Sequence, residues 1–374
     1  MNAKKKIIVS VTNDLSTDQR VRRICDFLHA NDYEITLVGR LRKNSLPIND
    51  RPYRCRRFRL WFNKGPLFYA NYNLRLFFFL LVTKADVLLA NDLDTLLANH
   101  WARKLKPSRR LVYDSHEYYC GTPELVSRPK VQNIWRKIER KTLPGVDAMY
   151  TVNHSIADLY KEEYGLDIKV VRNISDPRKI ELNTTKEQLG LPTDKKIVIM
   201  QGAGINIDRG AEEAIEAIQL VENAILIFVG DGDVIPILKE EVAKKGWEEK
   251  VKFFGKRPYE ELMNFTMHAD LGLSLDKNSN INYRFSLPNK IFDFIHAGTP
   301  IMVSNLPEVR KVVEGYEVGY ISASHDIEVL AKEIGDLLNN SSQLEQYKQN
   351  MKKAAKELNW QNECKVLEGI YGRG

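Results

Sequence analysis

The chain has 374 residues, 43% hydrophobic and 28% charged, which suits about two domains with globular cores. No run approaches the ~18 apolar residues of a membrane-spanning helix, and Met-Asn-Ala-Lys-Lys-Lys before the first apolar segment is too short for a signal peptide. Scattered cysteines (Cys25, Cys55, Cys120, Cys364) without a CxxC pair, and histidines without HxH or HExxH spacing, point to a reducing cytoplasm and away from disulfides or a metal site.

The net charge of +7 is uneven: residues 1–176 hold 31 basic and 19 acidic side chains, and residues 177–374 hold 25 and 30. The excess gathers in residues 51–110, with 13 basic against 3 acidic side chains. Trp61, Phe62, Phe68, Tyr69, Tyr72 and Phe77-Phe78-Phe79 lie in the same stretch. Basic side chains beside exposed aromatics suit peripheral contact with an anionic membrane, here the inner face of the plasma membrane. The simpler alternative is a buried helix over Leu74–Val82 flanked by solvated arginines. No nucleic-acid motif accompanies the charge, so no nucleic-acid partner is expected.

In chain order, strands are expected at Ile7–Thr12, Glu34–Val38, Val87–Ala90, Arg110–Tyr113 and Ala148–Val152. Helices are expected at Asp18–Ala30, Leu67–Thr83, Thr95–Leu105, Val131–Leu143 and Ile156–Tyr164. Short apolar strands alternating with helices predict a parallel sheet covered on both faces. Ligands of such folds bind at the carboxyl ends of strands, so the residues following each strand matter most. After the first strand, Asp14 lies in a loop, Thr17 or Asp18 can cap the helix, and Arg20 and Arg22 sit in its first turn. Cations there oppose the helix dipole and suggest an external partner. After the third, Asp92 or Asp94 caps a helix. After the fourth comes Asp114-Ser-His116-Glu117, a polar cluster that is costly behind a buried strand unless it serves a ligand.

The polar, aperiodic stretch 173–186 reads as a linker. The design then repeats, with strands at Ile197–Gln201, Ile225–Val229, Val251–Phe254, Leu271–Ser274 and Ile301–Val303. Helices follow at Gly210–Val221, Val234–Lys245, Tyr259–Met267, Asn289–Ala297, Pro307–Val313, Asp326–Leu338 and a long Ser342–Tyr371, for which Trp360 and Tyr371 are suitable anchors. Gly202 and Gly204 belong to a glycine-rich loop whose N–H groups can approach phosphate. Asp233, after the turn at Gly230, reads as a helix cap. In Ser286-Leu-Pro-Asn-Lys-Ile-Phe-Asp293, Pro288 suits helix position N1, and Gly298 suits the stop. The N–H groups of Asn289, Lys290 and Ile291 make an anion site reinforced by the Lys290 ammonium. Asp293, about one turn further in, can meet a sugar hydroxyl beside a bound phosphate.

This segment resembles the donor-nucleotide motif of retaining GT-B glycosyltransferases of family 4. The family form carries two Glu eight residues apart; here the second is Asp293 and the first falls on Phe285. The resemblance implies an α/β GT-B fold of two Rossmann-like domains facing a cleft. Residues 1–176 would form the acceptor side and 177–356 the donor side, with a helix from about 357 to 374 packing back on the first domain. It implies that His116 faces the donor sugar, that Arg209-Gly210 contacts the diphosphate and that Asp293 holds the ribose. Gly204 stands where a second Arg is frequent in the family. Gly230 would turn beneath the base, and the backbone at Lys256 and Arg257 would lie along its edge. His116, Arg209, Lys290 and Asp293 would then carry catalysis. Gly202, Gly204, Gly230, Arg257, Ser286 and Asn289 would complete the donor site. Asp14, Arg20, Asp92 and Glu117 would lie toward the acceptor. The implied reaction moves a sugar from a nucleotide diphosphate sugar to a glycan or lipid-linked acceptor in surface-polysaccharide assembly, with neither metal nor other cofactor. A nucleotide-sugar 2-epimerase and a non-catalytic sugar-nucleotide binder are the alternatives, and Phe285 is the residue that favours the latter.

Overall fold

The computed structural model describes residues 4–16, 18–48, 51–175 and 183–372. Thr17, one of the two expected caps, and residues 176–182 of the expected linker lie outside the described residues. The chain divides into two compact units, Met1–Arg172 with Val366–Gly374, and Asn173–Lys365.

The first unit is built on seven strands: β1 (Lys6–Ser10), β2 (Glu34–Leu41), β3 (Arg54–Arg59), β4 (Val87–Asn91), β5 (Arg110–Ser115), β6 (Ala148–Thr151) and β7 (Lys169–Val170). Their order is β3-β2-β1-β4-β5-β6-β7, with parallel pairing throughout. The central strands are continuous apolar runs such as Val87-Leu-Leu-Ala90, as a sheet buried on both faces requires. β3, which the sequence pattern does not reveal, reads Arg-Cys-Arg-Arg-Phe-Arg. It is an edge strand held to β2 by backbone pairing, so its side chains need not be apolar.

The second unit is built on β8 (Lys196–Gly202), β9 (Ala224–Gly230), β10 (Val251–Gly255), β11 (Leu271–Ser274), β12 (Ile301–Ser304) and β13 (Gly319–Ser322), ordered β10-β9-β8-β11-β12-β13 and again parallel. One core, around Met200, Phe228, Leu330, Ile334 and Leu337, covers one face of this sheet. The other, around Phe265, Phe292 and Phe294, covers the opposite face. Alternate residues of β8 and β9 enter the two cores, Val198 and Leu226 one, Ile197 and Ile225 the other, as the two-residue strand period dictates.

The expected single helix over Ser342–Tyr371 is two helices, Ser341–Glu357 and Trp360–Tyr371. Asn359 makes the break. Its amide group donates to the Ala355 and Lys356 carbonyls that end the first helix, and its side-chain oxygen accepts the Asn362 N–H that begins the second. Both expected anchors are buried. The Tyr371 carbonyl accepts the Tyr33 hydroxyl at 2.6 Å, and its own hydroxyl lies 3.2 Å from that of Tyr150. The helix Gly65–Val82 buries Phe68, Tyr72, Leu76 and Leu80 but presents Leu67, Leu74, Phe78 and Val82 to solvent. It is therefore neither fully buried nor merely flanked by solvated arginines.

Candidate functional site

Strand order reverses between β1 and β4 in the first unit and between β8 and β11 in the second. A polar cluster stands at the carboxyl end of the strands at each of these switch points, where α/β sheets open a crevice.

In the first unit the cluster centres on His116, just past β5. Its Nδ1 lies 3.2 Å from Asp92 Oδ2 and its Nε2 lies 3.3 Å from Asp114 Oδ2, while its backbone N–H donates to Asp92 Oδ1 at 2.9 Å. Burial works against the imidazolium, but the two carboxylates outweigh it and raise the pKa to about 9. His116 is thus a held cation at neutral pH and not a free base. Asp114 is fully buried, and burial alone would raise its pKa; the Arg20 guanidinium and His116 reverse that and hold it below the ordinary value.

Arg20 gives the clearest correction. Its partner is internal: Nε and Nη2 grip both Asp114 oxygens at 2.7–3.2 Å, and Nη1 donates to the Val171 carbonyl at 3.0 Å. The cation that opposes the helix dipole is compensated by a carboxylate 94 residues away. Asp18 does cap that helix, accepting the Val21 N–H.

Neither Asp92 nor Asp94 caps its helix through its side chain. Asp92 occupies the cap position with φ of 58°, a strained backbone for a non-glycine residue, and turns its carboxylate to His116. Asp94 accepts the Thr12 hydroxyl at 2.6 Å. Burial and the neighbouring Asp92 push its pKa up to about 8, so it is mostly protonated at pH 7. Asp14 folds back on its own loop, accepting the Ser16 N–H and hydroxyl, with Arg57 3.6 Å away. Glu117 contributes its carbonyl to Ser115 Oγ, which holds the loop.

In the second unit the cluster lies after β8 and β11. The turn that carries Arg209 has Asp208 at φ 65° and Gly210 at φ 76°. A Cβ on Gly210 would come within 2.5 Å of the Leu275 carbonyl, so glycine lets this turn pack directly on the loop after β11. The Lys277 N–H donates to the Asp208 carbonyl, and Lys277 pairs with Glu213. This brings Arg209 Nη1 to 2.9 Å from Asp276, which is 1% exposed, and lays its guanidinium 4.1 Å from the centre of the Tyr283 ring. Sequence reasoning does not single out Asp276 or Tyr283, because nothing local marks a lone Asp or Tyr in a polar loop.

Lys290 is half-buried on the helix Asn289–Ala297. Burial lowers its pKa, Asp276 partly offsets this, and Arg209 adds to it. Pro288 is the cap residue and not the first helical one, and the Ile291 N–H already donates to its carbonyl. The leading N–H donors are therefore those of Asn289 and Lys290. Gly298 ends the helix at φ 70°, as expected. Asp293 is buried and accepts the Tyr259 hydroxyl at 2.8 Å. Arg257 is exposed and bonds within its own turn, to the Phe254 carbonyl and Glu261. Ser286 Oγ is buried without a hydrogen-bond partner.

The glycine turns after β8 and β9 serve each other. A Cβ on Gly230 would sit 1.8 Å from the Gly202 carbonyl, which accepts the Asp231 N–H, and the Ile205 N–H donates to the Asp231 carbonyl. Gly204 lies inside this pairing. Asp233 is not the cap of the helix that follows; Val234 holds that position, and the Asp233 N–H donates to Asn206.

The Glycosyltransferase Family 4 model matches residues 18–179 and the Glycosyl transferases group 1 model matches residues 182–358. Between them they span most of both units. The chain carries a glycosyltransferase family 4 domain followed by a glycosyl transferases group 1 domain. Its two parallel-sheet units match GT-B structures: sucrose-phosphate synthase from Thermosynechococcus elongatus (TM-score 0.81, 16% identity, 98% of each chain covered) and a glycosyltransferase from Rickettsia africae (0.77, 14%, 98% of each). HepE from Anabaena, in complex with UDP and glucose, is a further match (0.73, 15%, 98% of this chain and 99% of that one). No curated protein matches the sequence. Among the described residues no helix is long and apolar enough to cross a membrane.

Proposed function

We propose that this glycosyltransferase moves a hexose or N-acetylhexosamine from a nucleoside diphosphate sugar to a glycan or lipid-linked hydroxyl, with retention at the anomeric carbon. The observation that carries the reading is the convergence of Arg209 and Lys290 beside the N–H groups that open the helix Asn289–Ala297. That arrangement offers two cations and a helix N-terminus to a leaving diphosphate. The positive charge comes from side chains, so the reaction needs no divalent ion and should survive a chelator. Asp293, which accepts the Tyr259 hydroxyl, would meet the ribose. In the first unit, His116 is a positioning cation that fixes Asp92 for the acceptor, and the departing phosphate takes the acceptor proton.

The exposed face of Gly65–Val82 supports a role in surface-polysaccharide assembly, at the cytoplasmic side of an anionic membrane. Leu67, Leu74, Phe78 and Val82 share that face, and Trp61, 78% exposed, carries Arg75 at 4.7 Å from its ring. Lys106 and Arg109 donate to the Leu80, Leu81 and Thr83 carbonyls at the helix end, so those groups do not depend on water.

A thermal-shift panel of UDP, GDP, ADP, CMP and dTDP with their sugar conjugates tests the donor, because a ligand of the native state raises its stability. One nucleotide and its conjugate should raise the melting temperature. Silence across the panel, with and without vesicles and candidate acceptors, would remove the donor reading.

A further inference from the structure

Asp276 carries one oxygen too many for its partners. Oδ1 meets Arg209, while Oδ2 is buried with no hydrogen-bond partner, and Arg209 Nε and Ser286 Oγ are likewise buried and unpartnered. A buried carboxylate oxygen left unsatisfied is costly. The carboxylate also stands beside the two cations assigned to the diphosphate, where a negative group is out of place if phosphate is its only neighbour. Phosphate oxygens and a carboxylate are both acceptors, so phosphate cannot satisfy Oδ2. A hydroxyl can. A nucleoside diphosphate sugar brings hydroxyls on both sides of its diphosphate, from the ribose and from the transferred sugar, and the donor reading assigns the ribose to Asp293.

We propose that Asp276 is a specificity-determining residue whose Oδ2 accepts a hydroxyl of the transferred sugar, while Oδ1 keeps Arg209 on the diphosphate. The inference rests on the donor reading given above. It assigns the donor class as a neutral sugar with a free hydroxyl near its diphosphate, since a uronate carboxylate would meet Asp276 charge to charge. Phe285 is consistent with this: no carboxylate stands there, and Asp276 supplies one from another loop.

The test is Asp276→Asn, which keeps a carbonyl oxygen for Arg209 and puts an N–H donor where Oδ2 stands. Calorimetry measures binding of UDP, GDP, dTDP and ADP, each beside its glucose conjugate, to the full-length protein and the variant. For the nucleotide that binds, the conjugate should lose about 10-fold or more in affinity relative to the bare diphosphate. Equal weakening of both would make Asp276 only a counter-ion of Arg209, and equal tightening would make it only a source of repulsion; either overturns the proposal. If the variant does not fold, deoxy-sugar conjugates on the unaltered protein decide: removal of one hydroxyl should cost a similar factor, and no loss at any position overturns the proposal. An unaltered protein that binds neither diphosphate nor conjugate overturns the donor reading as well, which separates the two failures.

Discussion

The two switch points share a topology and differ in how their charges are met. In the first unit, Arg20 and His116 face Asp92 and Asp114, with Asp94 mostly neutral, so two cations answer two carboxylates. In the second, Arg209 and Lys290 face Asp276 alone, and Arg209 Nε, Asp276 Oδ2 and Ser286 Oγ have no partner. The first is balanced in charge, although His116 Nε2 and Asp94 Oδ1 also lack a hydrogen-bond partner there, and such balance rigidifies the strand ends that carry it. The second holds more positive than negative charge, the imbalance that the proposed diphosphate would answer. The balance of charge at the strand ends therefore distinguishes the two units where fold alone cannot.

The sharpest way to break this contrast is Arg20→Ala. It leaves Asp114 buried and unpaired, and should cost about 3–5 kcal/mol of stability, read as a large fall in melting temperature. A variant that melts like the parent and loses only activity would make Arg20 a ligand residue. Lys290→Ala should do the reverse, lowering turnover by about 100-fold or more with the melting temperature nearly unchanged. Unaltered turnover would end its phosphate role.

The third test is pH. His116 has a folded pKa of about 9, above its ordinary value, so its stabilising effect is complete below the unfolded pKa and fades as pH rises through 9. Asp94, raised to about 8, also favours the protonated fold, so stability should fall from pH 6 to 8. Asp94→Asn should remove about 2 kcal/mol of that fall, measured by denaturant titration at the two pH values. An unchanged slope would mean that Asp94 is ionised in the fold. The smallest effect is on membrane binding. Phe78→Ser with Leu74→Ser should weaken sedimentation with anionic vesicles several-fold, and salt should weaken the parent's binding. Salt-independent binding would remove the basic region as the anchor.

Much of the frame is legible in the sequence because its signals are local. The apolar runs Val87–Ala90 and Ile197–Gln201, the Asp18 cap and the Gly298 stop each depend on a few neighbouring residues. β3 escapes because an edge strand of arginines has no apolar pattern, and the last helix reads too long because Asn359 breaks it by capping in both directions. Lys290 is legible because its own helix start marks it. Asp276 is not, because its meaning comes from Arg209, 67 residues earlier.

By itself, then, the sequence determined ten of the thirteen described strands, most of the helices, the two-unit plan and the loops that could hold chemistry. Periodicity and capping act within a turn or two, so they can be read along the chain. The tertiary structure alone decided that Arg20 serves Asp114, that both nitrogens of His116 face carboxylates, and that Asp276 joins the Arg209 and Lys290 cluster. Those pairings depend on which strands become neighbours and in what register, and on the loops that strand order brings together, none of which leaves a mark in the residues on either side.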